Sequence, residues 1–166
     1  MKPTLNSRAF ALLLAALVVG LDQVSKWIVS HSLALGETRR IVPGLFNLTH
    51  LHNRGAAFGL LSDFDSAAVV VFLISFSAAA LLLVVSLLWR TAPFSAAGWG
   101  LALILGGALG NLIDRLRNGS VVDFLDFHLS GYHWPAFNLA DSAIVIGAAV
   151  LLAQALRSRG GLAHEV

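Results

Sequence analysis

Four long hydrophobic stretches divide the sequence, and they constrain the fold more than any other feature. They cover about residues 10–29, 69–89, 98–113 and 140–156. A helix rises about 1.5 Å per residue, so the second stretch reaches roughly 31 Å, which is enough to cross the hydrocarbon core of a bilayer. The pattern predicts a mainly α membrane protein with four transmembrane helices, in which residues 1–166 form a single integral membrane domain.

The composition agrees with a membrane protein and excludes several other classes. Hydrophobic residues make up 57% of the 166 residues and charged residues only 12%, whereas a soluble domain carries about 25% charged residues. The absence of cysteine excludes a disulfide framework, a thiolate zinc site and cysteine catalysis. The net charge is only +2 and the arginines stand singly or in pairs, so no nucleic-acid partner is expected.

The first stretch follows Lys2 and Arg8, as the core of a cleavable signal peptide would. It is too long for that interpretation and no small-x-small cleavage site follows it, so we expect a retained helix. Four spans put both termini on one side. The two sides carry equal numbers of basic residues, but those on the terminal side lie in shorter segments, which favours cytoplasmic termini.

The two long connections, residues 30–68 and 114–137, would then both face the extracytoplasmic side. The first contains the β-prone runs Arg40–Val42 and Phe46–His50, separated by Pro43 and Gly44. It is too long for a simple connector. We therefore predict a small extracytoplasmic β-element on the membrane between the first and second helices, and a polar and aromatic loop between the third and fourth.

Polar residues collect at one end of this arrangement. Ionisable residues in or beside membrane helices are costly, so each invites a functional interpretation. Connectivity alone places on one membrane face Asp22, Lys26, Asn53, Arg54, Asn111, Asp114, Arg115, Asp123, Asp126, Asn138 and Asp141.

Several of these residues also have a purely structural interpretation. Asp22 and Lys26 stand four apart, the spacing of an ordinary helical ion pair. Asn138 precedes Asp141 by three residues, which fits a helix N-cap with an acidic residue at the third position.

Two features of the third stretch have similar explanations. Gly106 and Gly110 form a small-xxx-small pair that lets helices pack closely. Asp114 and Arg115 are adjacent, as a charge pair at a helix end would be.

The residue types narrow the possible chemistry. No histidine set has the H-E-x-x-H spacing of a zinc peptidase, and no G-x-S-x-G elbow is present. Two carboxylates, Asp123 and Asp141, remain. A pair sharing one proton can activate water and then protonate the carbonyl oxygen and the leaving nitrogen, so no metal or cofactor is expected. The alternatives are a small transporter, which would place polar groups near the midplane, and a membrane adaptor, which would need no carboxylate chemistry.

Five motifs carry a family resemblance. They are "DQVSK" at Asp22–Lys26, "NRGAAFG" at Asn53–Gly59, "GNLIDR" at Gly110–Arg115, "VVDFLDF" at Val121–Phe127 and "FNLADSAI" at Phe137–Ile144. With these strings in this order among four hydrophobic segments, the chain resembles bacterial lipoprotein signal peptidase, the signal peptidase II family, over nearly its full length.

The resemblance implies an aspartyl endopeptidase in which Asp123 and Asp141 are the catalytic pair. It implies supporting or substrate-binding roles for Asp22, Lys26, Asn53, Gly55, Asn111, Arg115 and Asn138. The substrate would be a diacylglyceryl-modified prolipoprotein, cut immediately before the lipid-modified cysteine. The enzyme would lie among the phospholipids of the bacterial plasma (inner) membrane as a multi-pass protein, with its active site toward the extracytoplasmic side.

Overall fold

The structure is a computed structural model that describes residues 5–55, 67–92 and 94–162. Within these ranges, four helices are long and apolar enough to cross a membrane. They are α1 (Leu5–Ser32), α2 (Ala67–Arg90), α3 (Ala96–Asn118) and α4 (Leu139–Leu162).

Each helix is longer than its hydrophobic stretch, and α3 shows the reason. Its hydrophobic stretch ends at about residue 113, whereas the helix continues to Asn118, and Gly119 caps it with φ of 67° and an N–H bond to Arg115 O. A helix satisfies its own backbone hydrogen bonds, so polar side chains do not end it when partners are available for them. The last turns of α3 thereby carry Asn111, Asp114 and Arg115 to one end of the bundle.

Glycines let α3 pack closely against its neighbours. A Cβ added to Gly106 would lie 2.7 Å from Ala15 O of α1, and one added to Gly107 would collide with Ala140 O of α4. The expected packing role of Gly106 is confirmed. Leucines of α2 and α3 complete the buried apolar core together with alanines of α1, and large apolar side chains on the outer surface of the bundle remain exposed, as lipid-facing residues do.

A four-stranded antiparallel sheet covers the end of the bundle. Its strands, in the order β1-β2-β3-β4, are β1 (Thr38–Val42), β2 (Phe46–Asn53), β3 (Val121–Leu129) and β4 (Tyr132–His133). The β-element expected between the first two helices is present as β1 and β2. The segment after α3, for which the sequence predicted a loop, contributes β3 and β4, because the apolar run at its start pairs with β2.

The sheet is anchored to the bundle by apolar contacts. Phe124 of β3 packs with Val29 and Leu33 at the end of α1, and all three side chains are buried. Because β2 and β3 are neighbours, both long connections meet at the same end of the bundle, as the connectivity predicted.

Candidate active site

A cavity of about 570 Å³ opens where α3, α4 and the sheet meet. That volume lies within the ordinary range for a binding site. One end is polar, lined by Asn53, Asn111, Arg115, Asp123 and Asp141. The remaining walls are mostly apolar and are formed by Val121, Trp134, Ala136, Phe137, Ile144, Val145 and Ile146, with Ser142 among them.

Asp123 reaches this cavity from β3 rather than from a loop, and its side chain is buried. Its Oδ2 accepts a hydrogen bond from Asn53 Nδ2 at 2.9 Å, and its Oδ1 accepts one from Asn138 Nδ2 at 2.7 Å. Burial, together with the nearby negative charge of Asp141, raises the pKa of Asp123 to about 6 against the opposing effect of the hydrogen bond from Asn53. Asp123 is therefore a carboxyl group that can hold a proton near neutral pH.

Asp141 lies in the first turn of α4, as the sequence predicted. Its backbone N–H donates to Asn138 Oδ1 at 2.9 Å, which confirms Asn138 as the N-cap. Its Oδ1 accepts a hydrogen bond from Asn111 Nδ2 at 2.7 Å.

Asn138 links the two carboxylates. It is fully buried, and one side chain both donates to Asp123 and caps the backbone of Asp141. Its Nδ2 also lies 3.3 Å from Asn111 Oδ1, and Asn111 binds Asp141. Any displacement of this amide would therefore move both aspartates.

Behind the cavity lies a buried charge network around Lys26. Its Nζ lies 2.8 Å from Asp22 Oδ2, 2.7 Å from Asp114 Oδ2 and 3.0 Å from Asn111 Oδ1. Three acceptors satisfy the three N–H groups of the ammonium. The predicted pair of Asp22 and Lys26 is confirmed. Asp114 faces Lys26 of α1, while the Arg115 side chain donates to Gly55 O.

Asp22 also fixes the start of α4. Its Oδ1 accepts a hydrogen bond from Ala140 N at 3.0 Å, which satisfies a backbone N–H that a helix start leaves unpaired. Gly110 makes room for this carboxylate, since a Cβ there would lie 2.6 Å from Asp22 Oδ2.

Gln23 belongs to the same network, and sequence reasoning missed it. Its Nε2 donates to Asp114 Oδ1 at 2.8 Å, and its Oε1 accepts from Arg117 at 3.3 Å. Asp114 in turn accepts a hydrogen bond from Val122 N, next to Asp123. The only sequence signal was its place in the "DQVSK" motif.

Arg115 holds the end of β2 beside the cavity. Its Nη2 donates to Gly55 O at 3.0 Å, and Gly55 N donates to Asn53 Oδ1 at 2.9 Å, so the amide that binds Asp123 is oriented from both sides. The rest of the "NRGAAFG" motif, residues 56–59, lies outside the described residues.

The family model of signal peptidase (SPase) II matches residues 14–157. The chain belongs to the signal peptidase II family. The lipoprotein signal peptidase of Solibacter usitatus is 42% identical over 158 residues, covering 95% of both chains. That of Geobacter sulfurreducens is 46% identical over 158 residues, covering 95% of this chain and 96% of its own.

Solved structures agree with this membership. A bacterial membrane enzyme determined by the in meso method at 2.3 Å resolution superposes with a TM-score of 0.83 at 32% identity, covering 96% of this chain and 93% of its own. A second, at 1.9 Å resolution, superposes with a TM-score of 0.79 at 33% identity over 93% of this chain and 96% of its own. Membership in the signal peptidase II family makes the protein a membrane peptidase and decides against the transporter and the adaptor.

Among the residues that the structure describes, no group of three or more His, Cys, Asp or Glu side chains is arranged to hold a metal ion.

Proposed function

We propose that the protein is an aspartic endopeptidase that cleaves the signal peptide from diacylglyceryl-modified prolipoproteins immediately before the lipid-modified cysteine. The observation that carries the proposal is the pair Asp123 and Asp141, which line one cavity in a signal peptidase II family member. Relatives of the same family are named lipoprotein signal peptidases. Of the supporting residues proposed from the sequence, Asn53, Asn111 and Asn138 bind the pair directly. The others, Asp22, Lys26, Gly55 and Arg115, connect to the pair through these asparagines.

The pair can perform amide hydrolysis by sharing one proton. We assign the acid to Asp123, since burial raises its pKa to about 6, and the base to Asp141, since the first turn of a helix favours a negative charge. The base removes a proton from water as it attacks the scissile carbonyl carbon, and the acid protonates the carbonyl oxygen. Collapse of the tetrahedral intermediate then breaks the C–N bond: the leaving nitrogen takes the proton from Asp141, and Asp123 takes back the proton from the former carbonyl oxygen.

The cavity suits a substrate that is polar at the cut and apolar beside it. Its polar end holds the carboxylates, while Ile144, Val145 and Ile146 of α4 extend the apolar wall, and the latter two side chains are exposed on the outer surface of the bundle. An apolar signal peptide or acyl chain can reach the carboxylates from the bilayer along this wall without exposure to water.

We place the active site on the extracytoplasmic side of the bacterial inner membrane, with both termini in the cytoplasm and the sheet among phospholipid headgroups. Residues 1–166 then act as one membrane peptidase domain. The meeting of both long connections at one end of the bundle supports a shared side for them. The shorter segments that carry the basic residues near the termini favour the cytoplasm for the other side. Reporter fusions after Gly36 and after Ser120 should both report the external compartment, and a cytoplasmic signal from either would contradict this topology.

Cleavage of matched precursors tests the activity. The purified protein in detergent should cleave a lipidated precursor and leave the same precursor without lipid intact. We expect cleavage to persist after thorough chelation, because the carboxylates supply both proton transfers. Equal cleavage of both precursors would overturn the substrate proposal, and loss on chelation with recovery on adding zinc would overturn the aspartic mechanism.

A further inference from the structure

A second buried carboxylate on β3 takes no part in this chemistry. Asp126 stands three residues after Asp123 and is 9% exposed. Its Oδ2 accepts a hydrogen bond from Asn47 Nδ2 at 2.8 Å, and its Oδ1 lies 2.8 Å from His133 Nδ1. Burial opposes ionisation, but these hydrogen bonds outweigh it and lower the pKa of Asp126. The contact therefore joins β2, β3 and β4 through one carboxylate.

This contact matters because β4 is short. The strand has two residues, and only two residue pairs, His128 with His133 and Leu129 with Tyr132, connect it to β3. The turn between them contains Ser130 and Gly131, both with positive φ, as a tight two-residue hairpin requires. A ladder of two pairs is weak by itself, so the bond from Asp126 to His133 ties the hairpin to the buried part of the sheet.

The chain passes directly from β4 into the wall of the active cavity. Residues 134–137 form this wall segment, and Trp134, Ala136 and Phe137 of it line the cavity. Its far end is held where Phe137 exchanges backbone hydrogen bonds with Leu125. Its near end begins beside His133, where Trp134 N donates to Phe127 O at 2.8 Å.

We infer that Asn47, Asp126 and His133 form a positioning latch, which holds the wall segment 134–137 against the cavity and thereby sets how tightly substrate binds. The inference rests on the proposed function, because the bound substrate is the lipidated precursor. These three side chains contact one another across the sheet, next to the start of the wall segment, and none of them lines the active cavity. Loss of the latch therefore raises KM and leaves kcat nearly unchanged.

Steady-state kinetics on a lipidated peptide test the latch. Asp126→Asn and His133→Ala should each raise KM by about two- to fivefold, as expected for loss of one partly exposed contact to a carboxylate. His133→Asn should restore much of the wild-type KM, because its amide nitrogen can take the place of Nδ1. The double variant should be no worse than either single variant, since both remove the same contact.

The matched control is His31→Ala. Like His133, His31 is exposed and contacts an oxygen through Nδ1, which lies 2.8 Å from Trp27 O. Unlike His133, it lies on α1, away from the wall segment. Its replacement should leave KM unchanged. A fall in kcat with unchanged KM in the latch variants, or fully additive losses in the double variant, would overturn the inference.

A spectroscopic measurement tests the latch without any cleavage. The chain has four tryptophans, so replacing Trp27, Trp89 and Trp99 by phenylalanine leaves Trp134 as the reporter. Its quenching by acrylamide should increase in the His133→Ala variant, whose replaced side chain is 55% exposed and not needed for the core. If the His133→Ala variant shows unchanged quenching and unchanged KM while the wild type cleaves, the latch is overturned. If the wild type itself fails to cleave, only the proposed function is overturned.

Discussion

Two groups of buried polar residues lie side by side at the same end of the bundle, and they differ in what holds their carboxylates. In the first, the ammonium of Lys26 faces Asp22 and Asp114 at 2.8 and 2.7 Å. In the second, Asp123 and Asp141 accept hydrogen bonds from asparagine amides. The two groups meet at the side chain of Asn111, whose amide binds both Lys26 and Asp141.

Under the proposed function, the difference separates a structural group from a reactive one. A buried cation and its carboxylates hold one another in fixed positions, and removal of the cation leaves buried charges unpaired, which destabilises the fold. A neutral amide orients a carboxylate without neutralising it, so two neighbouring carboxylates still resist double ionisation and can share a proton. The first group should therefore control stability, and the second should control turnover.

The largest effect should come from breaking the reactive group. Asp123→Asn or Asp141→Asn keeps the side-chain size but removes the exchangeable proton, and should lower the cleavage rate by about 10²–10⁴-fold or more. Initial rates on the lipidated precursor measure this, with thermal unfolding as a check on the fold. Glu37→Gln, which alters a solvent-exposed carboxylate paired with Arg39, should keep the wild-type rate. Turnover within tenfold of wild type would remove that aspartate from the mechanism.

The next effect should come from removing the cation of the structural group. Lys26→Met leaves Asp22 and Asp114 buried without their counter-charge, which should lower the free energy of unfolding by about 3–5 kcal/mol. Thermal unfolding in detergent measures the change.

Its control is Arg39→Met, which breaks an exposed pair with Glu37 at 3.6 Å and should cost about 1 kcal/mol or less. Should Lys26→Met unfold at the wild-type temperature but lose activity, Lys26 would belong with the reactive group, and the comparison would fail.

A smaller loss should follow from crowding the structural group. Gly110→Ala places a Cβ 2.6 Å from Asp22 Oδ2, and the shift that relieves this overlap should lower the free energy of unfolding by about 1–3 kcal/mol. Gly20→Ala on α1 meets no atom within 4 Å and should leave stability unchanged or raise it slightly. Equal unfolding temperatures for the two variants would show that the site at Asp22 can expand.

The smallest effect should be a shift in pH dependence. The hydrogen bond from Asn53 lowers the pKa of Asp123, which is about 6, so Asn53→Ala should raise that pKa. The acid must keep its proton to act, so the alkaline limb of the rate profile should move to higher pH, by about 0.5–1 unit. The apparent pKa that this limb reports belongs to Asp123 and Asp141 together, because the two carboxyl groups titrate as a coupled pair.

Rates measured across pH test this prediction, with Asn118→Ala as the control, because Asn118 is exposed at the end of α3. A limb that stays in place or moves to lower pH in the Asn53 variant would contradict the assignment of Asp123 as the acid.

Much of the architecture could be predicted from the sequence, and the two aspartates show where prediction stopped. Asp141 was placed correctly in the first turn of a helix, because an N-cap three residues earlier is a local pattern. Asp123 was placed in a loop, whereas it lies on β3 opposite Leu51 of β2. Pairing with a strand about 70 residues away leaves no local signal.

The sequence by itself determined the four spans, the collection of polar residues at one end and the motifs that carry the family resemblance. Each span can be recognised from the hydropathy of its own residues, and the number of spans before a loop decides on which side of the membrane it lies. The tertiary structure alone decided that Asp114 and Gln23 join Lys26, and that Asp126 fastens β4 through His133. Gln23 and Asp114 are 91 residues apart, and whether such side chains meet depends on how far each helix is rotated and on which residues face each other in the sheet.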